Sequence, residues 1–193
     1  MLTKMQNKNC KLFLFENRII VFVMNLEKLP LGDAPESFNV VIEVSAGSNV
    51  KYEMDKESGA IMVDRFLHTQ MFYPANYGFL PHTLANDGDP LDALVYTRWK
   101  LAEGCVIKVR PIGVVYMEDE SGMDEKIICV PFNKLDKRYD KVNDITDMPE
   151  QELDEIKHFF EHYKDLEKGK WVKISGFGNV KEAKEIIKKF IVK

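Results

Sequence analysis

Residues 105–131 read CVIKVRPIGVVYMEDESGMDEKIICVP, in which two apolar runs flank a short acidic segment. The runs are rich in Val and Ile, and the segment between them contains Gly and Asp, which are typical turn residues. We therefore predict two β-strands joined in one long β-hairpin. Asp119 and Asp124 would lie at the tip of this hairpin, which can return toward other parts of the chain.

Strand-like segments also precede the hairpin. The segments FNVVIEVS (38–45), VKYEM (50–54) and AIMVDRF (60–66) are separated by turn residues and predict a β-meander. DALVYTR (92–98) predicts one more strand. Between these regions, FYPANYGFLPHTLANDGDP (72–90) has no helical period and is typical of a functional loop.

The last third of the chain has a helical pattern. Apolar residues recur at helical spacing in DMPEQELDEIKHFFEHYKDLEKG, where Asp147 can cap the first turn and Gly169 can end the helix. A second helix is predicted from about Asn179 onward. Strands followed by helices favour an α+β fold, mostly β, with a closed or nearly closed antiparallel sheet.

Length and composition favour one globular domain. The chain has 193 residues, 45% of them hydrophobic, and a formal net charge of -4. A mildly acidic chain disfavours general nucleic-acid binding, which depends on clustered Lys and Arg. The three cysteines, Cys10, Cys105 and Cys129, form no CxxC motif. Cys105 and Cys129 lie in apolar runs and are predicted to be buried free thiols, which fits a reducing cytoplasm.

The N-terminus has a different character from the rest. Residues 1–23 contain early lysines and then apolar residues, but charges at Glu16 and Arg18 interrupt the apolar run. The segment is too short and too interrupted to span a bilayer, and it lacks a clear signal-peptide cleavage site. We expect residues 1–23 to be an extension, or a start placed upstream of the natural one, and residues 24–193 to be a single domain.

The loop contains a crowded acidic stretch, NDGDPLD (86–92). Asp87, Asp89 and Asp92 repel one another unless a cation lies between them, and carboxylates are the ligands that Mg²⁺ and Ca²⁺ prefer. An EF-hand is excluded because position twelve of such a loop would be Arg98 instead of Glu. A solvated acidic turn and a covalent aspartyl-phosphate site remain as alternatives at this point.

Other charged and aromatic residues extend this picture. Asp119 and Asp124 could supply a second pair of metal ligands, although an acidic turn of this kind is often only solvated. Several Lys, Arg and Tyr residues lie among apolar neighbours: Lys51, Arg65, Lys126, Lys164, Tyr73, Tyr77 and Tyr163. Several metals together with Lys, Arg and Tyr donors suit a small polyphosphate anion.

One motif points to a different metal. HFFEH (158–162) matches the H-x-x-E-H zinc pattern, with His158 and His162 one helical turn apart. A zinc site needs a third protein ligand, and the short Lys-rich segment after His162 offers none. We therefore interpret this stretch as an amphipathic helix that packs against the barrel or another subunit.

In these motifs, the chain resembles the family I soluble inorganic pyrophosphatases of the bacterial type. The stretch DGDPLDA fits every position of that family's signature, and the resemblance continues in VVIEV, KYEMDKESGAIMVDRF, MFYPANYGF and HFFEHYKDLEKGKW. It covers roughly residues 25–190. It implies a five-stranded OB-like closed barrel with flanking helices, two of them C-terminal, and usually a homohexamer. It also implies Mg²⁺-dependent hydrolysis of pyrophosphate to two orthophosphates, by in-line attack of a metal-bridging water.

The resemblance also implies roles for single residues. Asp87, Asp89 and Asp92 match acids around two activating metals, and Asp89 would also act as general base. Tyr73 would tune that base by hydrogen bonding. The remaining metal-site acids are Asp119, Asp124, Glu43 and Glu53, the last two acting largely through water. The phosphate-binding set is Lys51, Arg65, Tyr77, Lys126, Tyr163 and Lys164, of which Arg65 and Lys126 also stabilise the leaving group. Mn²⁺ or Zn²⁺ could replace Mg²⁺.

Two other classes of function remain as alternatives. An OB-barrel that binds nucleic acid needs a basic groove with stacking aromatics, whereas here the aromatics alternate with acids. A calcium-binding module without catalysis would use the same acidic loop. Release of phosphate from pyrophosphate in the presence of Mg²⁺ distinguishes the enzyme from both.

Overall fold

The structure is a computed structural model that describes the backbone of residues 4–7, 10–14, 20–21 and 26–192, and the side chains of residues 26–192. Within the first 25 residues, β1 (Lys4–Asn7), β2 (Cys10–Leu14) and β3 (Ile20–Val21) form a separate antiparallel sheet. The other residues of the expected 1–23 extension lie outside the described residues. The boundary between extension and domain therefore stays a prediction.

Most of the described chain is β-structure, with two α-helices near the C-terminus. The remaining strands are β4 (Gly32–Asp33), β5 (Ser37–Val44), β6 (Val50–Met54), β7 (Ile61–Phe66), β8 (Asn76–Phe79), β9 (Asp92–Val95), β10 (Val106–Asp119), β11 (Gly122–Met123), β12 (Lys126–Pro131) and β13 (Val172–Asn179). The helices are α1 (Glu150–His162) and α2 (Val180–Phe190). The predicted α+β class, mostly β, is confirmed.

Five strands close into a ring. β5 pairs with β10, β10 with β12, β12 with β9, β9 with β8, and β8 with β5 again. The ring is uneven because β10 has 14 residues, whereas β8 and β9 have only four each. The predicted five-stranded closed barrel is confirmed, but its sheet is not purely antiparallel, since β9 and β12 run parallel.

The length of β10 explains how the barrel connects to the C-terminal region. Its first residues pair with β5, and the residues from Gly113 onward pair with β13 along the same strand. The register on β12 shifts between Pro111 and Gly113, where proline lacks the N–H that a regular ladder requires. The sequence did not predict β13, because its glycines Gly176 and Gly178 weaken the strand pattern.

The expected meander over residues 38–66 is wrong in one respect. β5 belongs to the ring, but β6 and β7 form their own two-stranded hairpin. The pairs Lys51↔Arg65 and Glu53↔Met62 set its register, with a bulge after Lys51. The hairpin therefore carries several of the predicted site residues on an arm beside the ring.

The two helices differ in how their N-termini are capped. α2 begins as predicted, because the Asn179 side chain accepts hydrogen bonds from the Lys181 and Glu182 amides. α1 begins at Glu150 after Pro149, and Asp147 does not cap it. Asp147 instead closes a capping box with Asp144 around the preceding 3₁₀ turn.

α1 is shorter than predicted, since it ends at His162 and the chain then turns until Gly169. Its buried residues Ile156 and Phe159 pack in a core cluster that also contains Tyr73 and Tyr77. The turn after α1 therefore starts beside these tyrosines. Among the described residues, neither α1 nor α2 is long and apolar enough to cross a bilayer.

Candidate active site

A cavity of about 210 Å³ lies where the hairpin, the acidic loop and the ends of several ring strands meet. Every site residue predicted from the sequence lines it: Glu43, Lys51, Glu53, Arg65, Tyr73, Tyr77, Asp87, Asp89, Asp92, Asp119, Asp124, Lys126, Tyr163 and Lys164. These residues come from positions 43–164 of the chain. The fold therefore brings them together from seven segments of the chain: residues 43, 51–53, 65, 73–77, 87–92, 119–126 and 163–164.

The acidic loop is held in shape from within. The Asp87 carboxylate accepts a hydrogen bond from the Asp89 amide at 2.9 Å, and the Ala85 amide donates to the Asp89 carbonyl at 2.7 Å. Gly88 has φ +89°, a left-handed conformation that glycine adopts without strain. At the base of the loop, the buried Thr83 hydroxyl donates to the Leu80 carbonyl and accepts from the Leu91 amide.

Lys126 lies between two of the carboxylates. Its Nζ is 2.5 Å from Asp92 and also pairs with Asp124, and the Tyr77 hydroxyl donates to Asp92 at 2.5 Å. Burial lowers the pKa of Lys126, but the charges of Asp92 and Asp124 outweigh burial and raise it above its ordinary value. Lys126 is therefore charged at neutral pH and keeps these two acids close together.

A second ion pair occupies the other side of the cavity. Lys164 Nζ lies 2.8 Å from the Asp119 carboxylate, and both side chains are buried. Burial raises the pKa of Asp119, but hydrogen bonds from Lys164 and the Ser121 amide outweigh burial and lower it. The tip of the β10–β12 hairpin and the turn after α1 are thus joined by a charged contact inside the cavity.

Glu43 is the most deeply placed of the acids on the ring. It lies on β5 and accepts a hydrogen bond from the Met54 amide at 2.8 Å, which ties the ring to β6. Burial, together with the charge of Asp92, raises its pKa to about 7, against the lowering effect of the Met54 hydrogen bond. Glu43 can therefore change its protonation state near neutral pH.

Packed aromatic rings line part of the cavity, next to the charged groups. Tyr73 lies 5.5 Å from Tyr77 and 4.8 Å from Phe159, and Phe159 stacks on Tyr163 at 5.1 Å, all between ring centroids. Burial raises the pKa of Tyr73, so its hydroxyl stays protonated. These rings fix the positions of three predicted site tyrosines by packing.

The contact of Asp89 differs from the expectation. Its carboxylate pairs with Lys56 Nζ at 2.5 Å, and a hydrogen bond from Tyr73 to Asp89 is not among the contacts in the described part of the chain. Lys56 lies in the turn between β6 and β7 and lines the cavity. The sequence predicts the DKESG turn only as a connection between strands, because Lys56 and Asp89 are 33 residues apart and no local pattern indicates their contact.

The hairpin contributes two further cations. Lys51 pairs with Glu53 and lies 3.5 Å from Asp64. Arg65 Nε lies 3.6 Å from Asp64 and 3.5 Å from Glu167, a residue that the sequence analysis did not single out. Both cations therefore face the cavity with carboxylates beside them.

The acids and cations are interleaved throughout the cavity. Among residues 26–192, no group of three or more His, Cys, Asp or Glu residues is arranged to hold a metal ion. Lys126 lies between Asp92 and Asp124, and Lys56 pairs with Asp89. The donor set nevertheless consists of carboxylate oxygens, which are the hard ligands that Mg²⁺ prefers. The predicted metal ligands therefore fit Mg²⁺ by chemistry, with lysines that a cation would displace.

The helical histidines lie elsewhere. His158 and His162 lie on α1 with ring centroids 4.6 Å apart and ring planes tilted by 57°, and His162 Nδ1 is 2.8 Å from Asp165. Neither histidine lines the cavity. The fold and cavity thus describe a β-barrel protein equipped for hard cations and a phosphate-rich anion.

Comparison with known proteins gives the family. The family model described as inorganic pyrophosphatase matches residues 40–193. The inorganic pyrophosphatase of Agrobacterium fabrum is 56% identical over 166 residues, which cover 85% of this chain and 94% of that protein. That of Brucella melitensis biotype 1 is 58% identical over the same length, with the same coverage.

A solved structure agrees with these relatives. The inorganic pyrophosphatase of Helicobacter pylori has 54% sequence identity and superposes with a TM-score of 0.83, covering 85% of this chain and 96% of that one. The chain belongs to the inorganic pyrophosphatase family.

Proposed function

We propose that this protein hydrolyses inorganic pyrophosphate to two orthophosphates with Mg²⁺ as its cofactor, by in-line attack of water on one phosphorus. The observation that carries the proposal is the single cavity in which five Asp, two Glu, four Lys or Arg and three Tyr residues, all predicted from the sequence, meet. A pyrophosphate ion needs such a combination, because its charge must be neutralised while one end is held and the other is released.

The acids would hold the metals. Asp87, Asp89 and Asp92 supply carboxylates from the loop and from the start of β9, and Asp119 and Asp124 supply them from the hairpin of β10 and β12. When bound, Mg²⁺ supplies positive charge that neutralises phosphate oxygens and makes a nearby water more acidic. We propose Mn²⁺ or Zn²⁺ as possible substitutes, and Glu43 and Glu53 as acids that act through water.

The cations would hold the substrate. Lys51 and Arg65 approach from the hairpin and Lys164 from the turn after α1, so an anion in the cavity would meet positive charge from both sides. Lys126 adds a charged amine deep in the cavity, where it can stabilise the phosphate that leaves. Tyr77 and Tyr163 would orient phosphate oxygens through their hydroxyl groups.

Asp89 would accept the proton of the attacking water. Its side chain lines the cavity and is 67% exposed, whereas that of Asp92, which pairs with Lys126, is 23% exposed. Release of Lys56 from Asp89 would free the carboxylate oxygen for the proton. Tyr73 lines the same cavity, and its hydroxyl would tune the Asp89 base by hydrogen bonding.

Phosphate release from pyrophosphate tests the proposal. With Mg²⁺ present we expect turnover well above the buffer rate, and chelation of Mg²⁺ should abolish it. A protein that binds Ca²⁺ or single-stranded nucleic acid but releases no phosphate at any Mg²⁺ concentration would contradict the proposal.

Three further properties belong to the same proposal. We expect a homo-oligomer, a hexamer by family resemblance, which native mass would establish. We place the protein in the cytoplasm, in keeping with half-buried and buried free thiols at Cys105 and Cys129. We assign residues 24–193 to one domain and residues 1–23 to an extension.

A further inference from the structure

Glu167 is a nearly buried carboxylate beside the cavity. Its side chain is 9% exposed, and its Oε1 lies 3.5 Å from Arg65 Nε. Both of these atoms are buried, and neither has a hydrogen-bond partner among the described residues. The contact joins two separate elements, since Arg65 lies on β7 and Glu167 lies in the turn after α1.

Burying a carboxylate is costly unless a cation lies nearby. In the described part of the chain, Arg65 is the only cation recorded within ion-pair distance of Glu167. The other acid near Arg65 is Asp64, which is also 3.5 Å from Lys51 and so is shared between two cations. The stabilisation of Glu167 therefore depends on where the Arg65 guanidinium lies.

The geometry of the contact leaves Arg65 available for an anion. Glu167 approaches Nε, so the two terminal nitrogens of the guanidinium remain to donate to one phosphate in bidentate fashion. The 3.5 Å separation is longer than a normal charge-assisted hydrogen bond, so the guanidinium is guided but not tightly held.

We propose that Glu167 is a positioning residue that aims the Arg65 guanidinium into the cavity, an inference that rests on the proposed pyrophosphate hydrolysis. The same turn carries Tyr163 and Lys164 into the cavity. Glu167 thus sets the position of a hairpin cation relative to the phosphate-binding groups after α1. Three groups on two elements then meet one substrate in a fixed arrangement.

A double-mutant cycle tests this role. Glu167→Gln keeps the size of the side chain and removes its charge, and we expect kcat/KM for pyrophosphate to fall about tenfold. In an Arg65→Gln background, the same change should alter kcat/KM by less than about twofold, because its target is gone. Glu36→Gln is the matched control, since Glu36 pairs with Lys184 and does not line the cavity.

Two results would overturn the proposal. One is a Glu167→Gln protein with kcat/KM within about twofold of the wild type. The other is an equal loss with and without Arg65, which indicates a general structural role. If Glu167→Gln unfolds, Glu167→Asp replaces it in the cycle, because aspartate retains the charge. The decrease in kcat/KM caused by Glu167→Asp should likewise disappear when Arg65 is replaced.

Calorimetric binding of methylenediphosphonate with Mg²⁺ separates this inference from the proposed function. The analogue is not hydrolysed, so the cycle can be repeated on binding alone. A wild-type protein that binds it but does not cleave pyrophosphate refutes the proposed function, while coupling between Glu167 and Arg65 in binding still supports the positioning role. Independent effects of the two substitutions on binding overturn it.

Discussion

Single side chains in this cavity work in charged pairs. Asp92 and Asp124 share Lys126, and Asp119 faces Lys164. The Lys126–Asp92 and Lys164–Asp119 pairs join distant parts of the chain, whereas Asp124 lies two residues before Lys126. Like charges at such distances repel strongly in a partly buried site, so each lysine stabilises the acids that flank it. The repulsion that remains when lysines withdraw would make the acids avid for divalent cations.

Asp89→Asn tests the proposed proton acceptor. Asparagine keeps the shape of the side chain but cannot take a proton, so we expect kcat to fall roughly a hundredfold or more. The side chain is exposed, so thermal unfolding should change little. Asp33→Asn, which alters an exposed acid paired with Lys108, should leave phosphate release unchanged. Near-normal kcat in Asp89→Asn would show that the role is wrong.

Lys126→Met tests the buried charge network. The substitution leaves Asp92 and Asp124 facing each other without the amine, so we expect the free energy of unfolding to fall by about 3 kcal/mol. Denaturant titration in the presence of a metal chelator measures this change. Lys108→Met removes an exposed pairing with Asp33 and should change the free energy by less than about 1 kcal/mol. If both substitutions lower the free energy of unfolding equally, the buried Lys126 pairs are no more stabilising than the exposed Lys108 pair.

At the level of elements, the acidic loop depends on its base. Leu80 and Leu91 bracket the loop, and the Thr83 hydroxyl bonds to the backbone of both, at 2.7 and 2.8 Å. The C-terminal residues support the same point, since Ile191 forms an isolated bridge with Thr83 and Phe190 accepts a hydrogen bond from Leu84. The base of the loop that carries Asp87 and Asp89 is therefore held by one buried hydroxyl and by residues 190–191.

Thr83→Val tests this anchoring. Valine matches the shape but leaves the Leu91 amide and the Leu80 carbonyl without their partner, so we expect a loss of about 2 kcal/mol in unfolding free energy. Amide exchange at residues 84–91 should become faster, and half-maximal phosphate release should need more Mg²⁺. Thr83→Ser keeps the hydroxyl and serves as control. Unchanged exchange in Thr83→Val would show that the loop is held by other contacts.

The elements also show what a sequence can predict. β5, β10, β12 and α2 follow from apolar periodicity and a capping residue, both of which are local signals. β13 and the end of α1 were missed, because glycines interrupt one pattern and a charged turn continues the helical spacing of the other. The contacts Lys56–Asp89 and Arg65–Glu167 join distant positions, so local patterns carry no information about them.

For the whole molecule, the first question is where the domain begins. A shortened protein that starts at Met24 lacks the three short strands β1–β3, which form a sheet of their own. We expect it to fold, to release phosphate at the rate of the full chain, and to have a native mass that corresponds to the same number of subunits. Loss of cooperative unfolding in the shortened protein would show that residues 1–23 belong to the domain.

The closed ring depends on one close approach between strands. Gly78 on β8 is opposite Ile42 on β5, and a Cβ added at Gly78 would lie only 1.8 Å from the Val41 carbonyl oxygen. That oxygen belongs to backbone in the centre of a strand and cannot rotate away. Any side chain at this position must therefore push β5 and β8 apart, which opens the ring at one of its two shortest strands.

Gly78→Ala should for this reason destabilise the protein by about 3 kcal/mol or more, measured by denaturant titration. The cavity should also be distorted, because Tyr77, the neighbour of Gly78 on β8, donates a hydrogen bond to Asp92. Gly169→Ala is the matched control: its φ of +79° is strained for alanine, but no atom lies within 4 Å of the added Cβ. It should cost only about 1 kcal/mol. If both alanine variants lose the same stability, the cost lies in backbone conformation and the close approach of β5 and β8 is not what closes the ring.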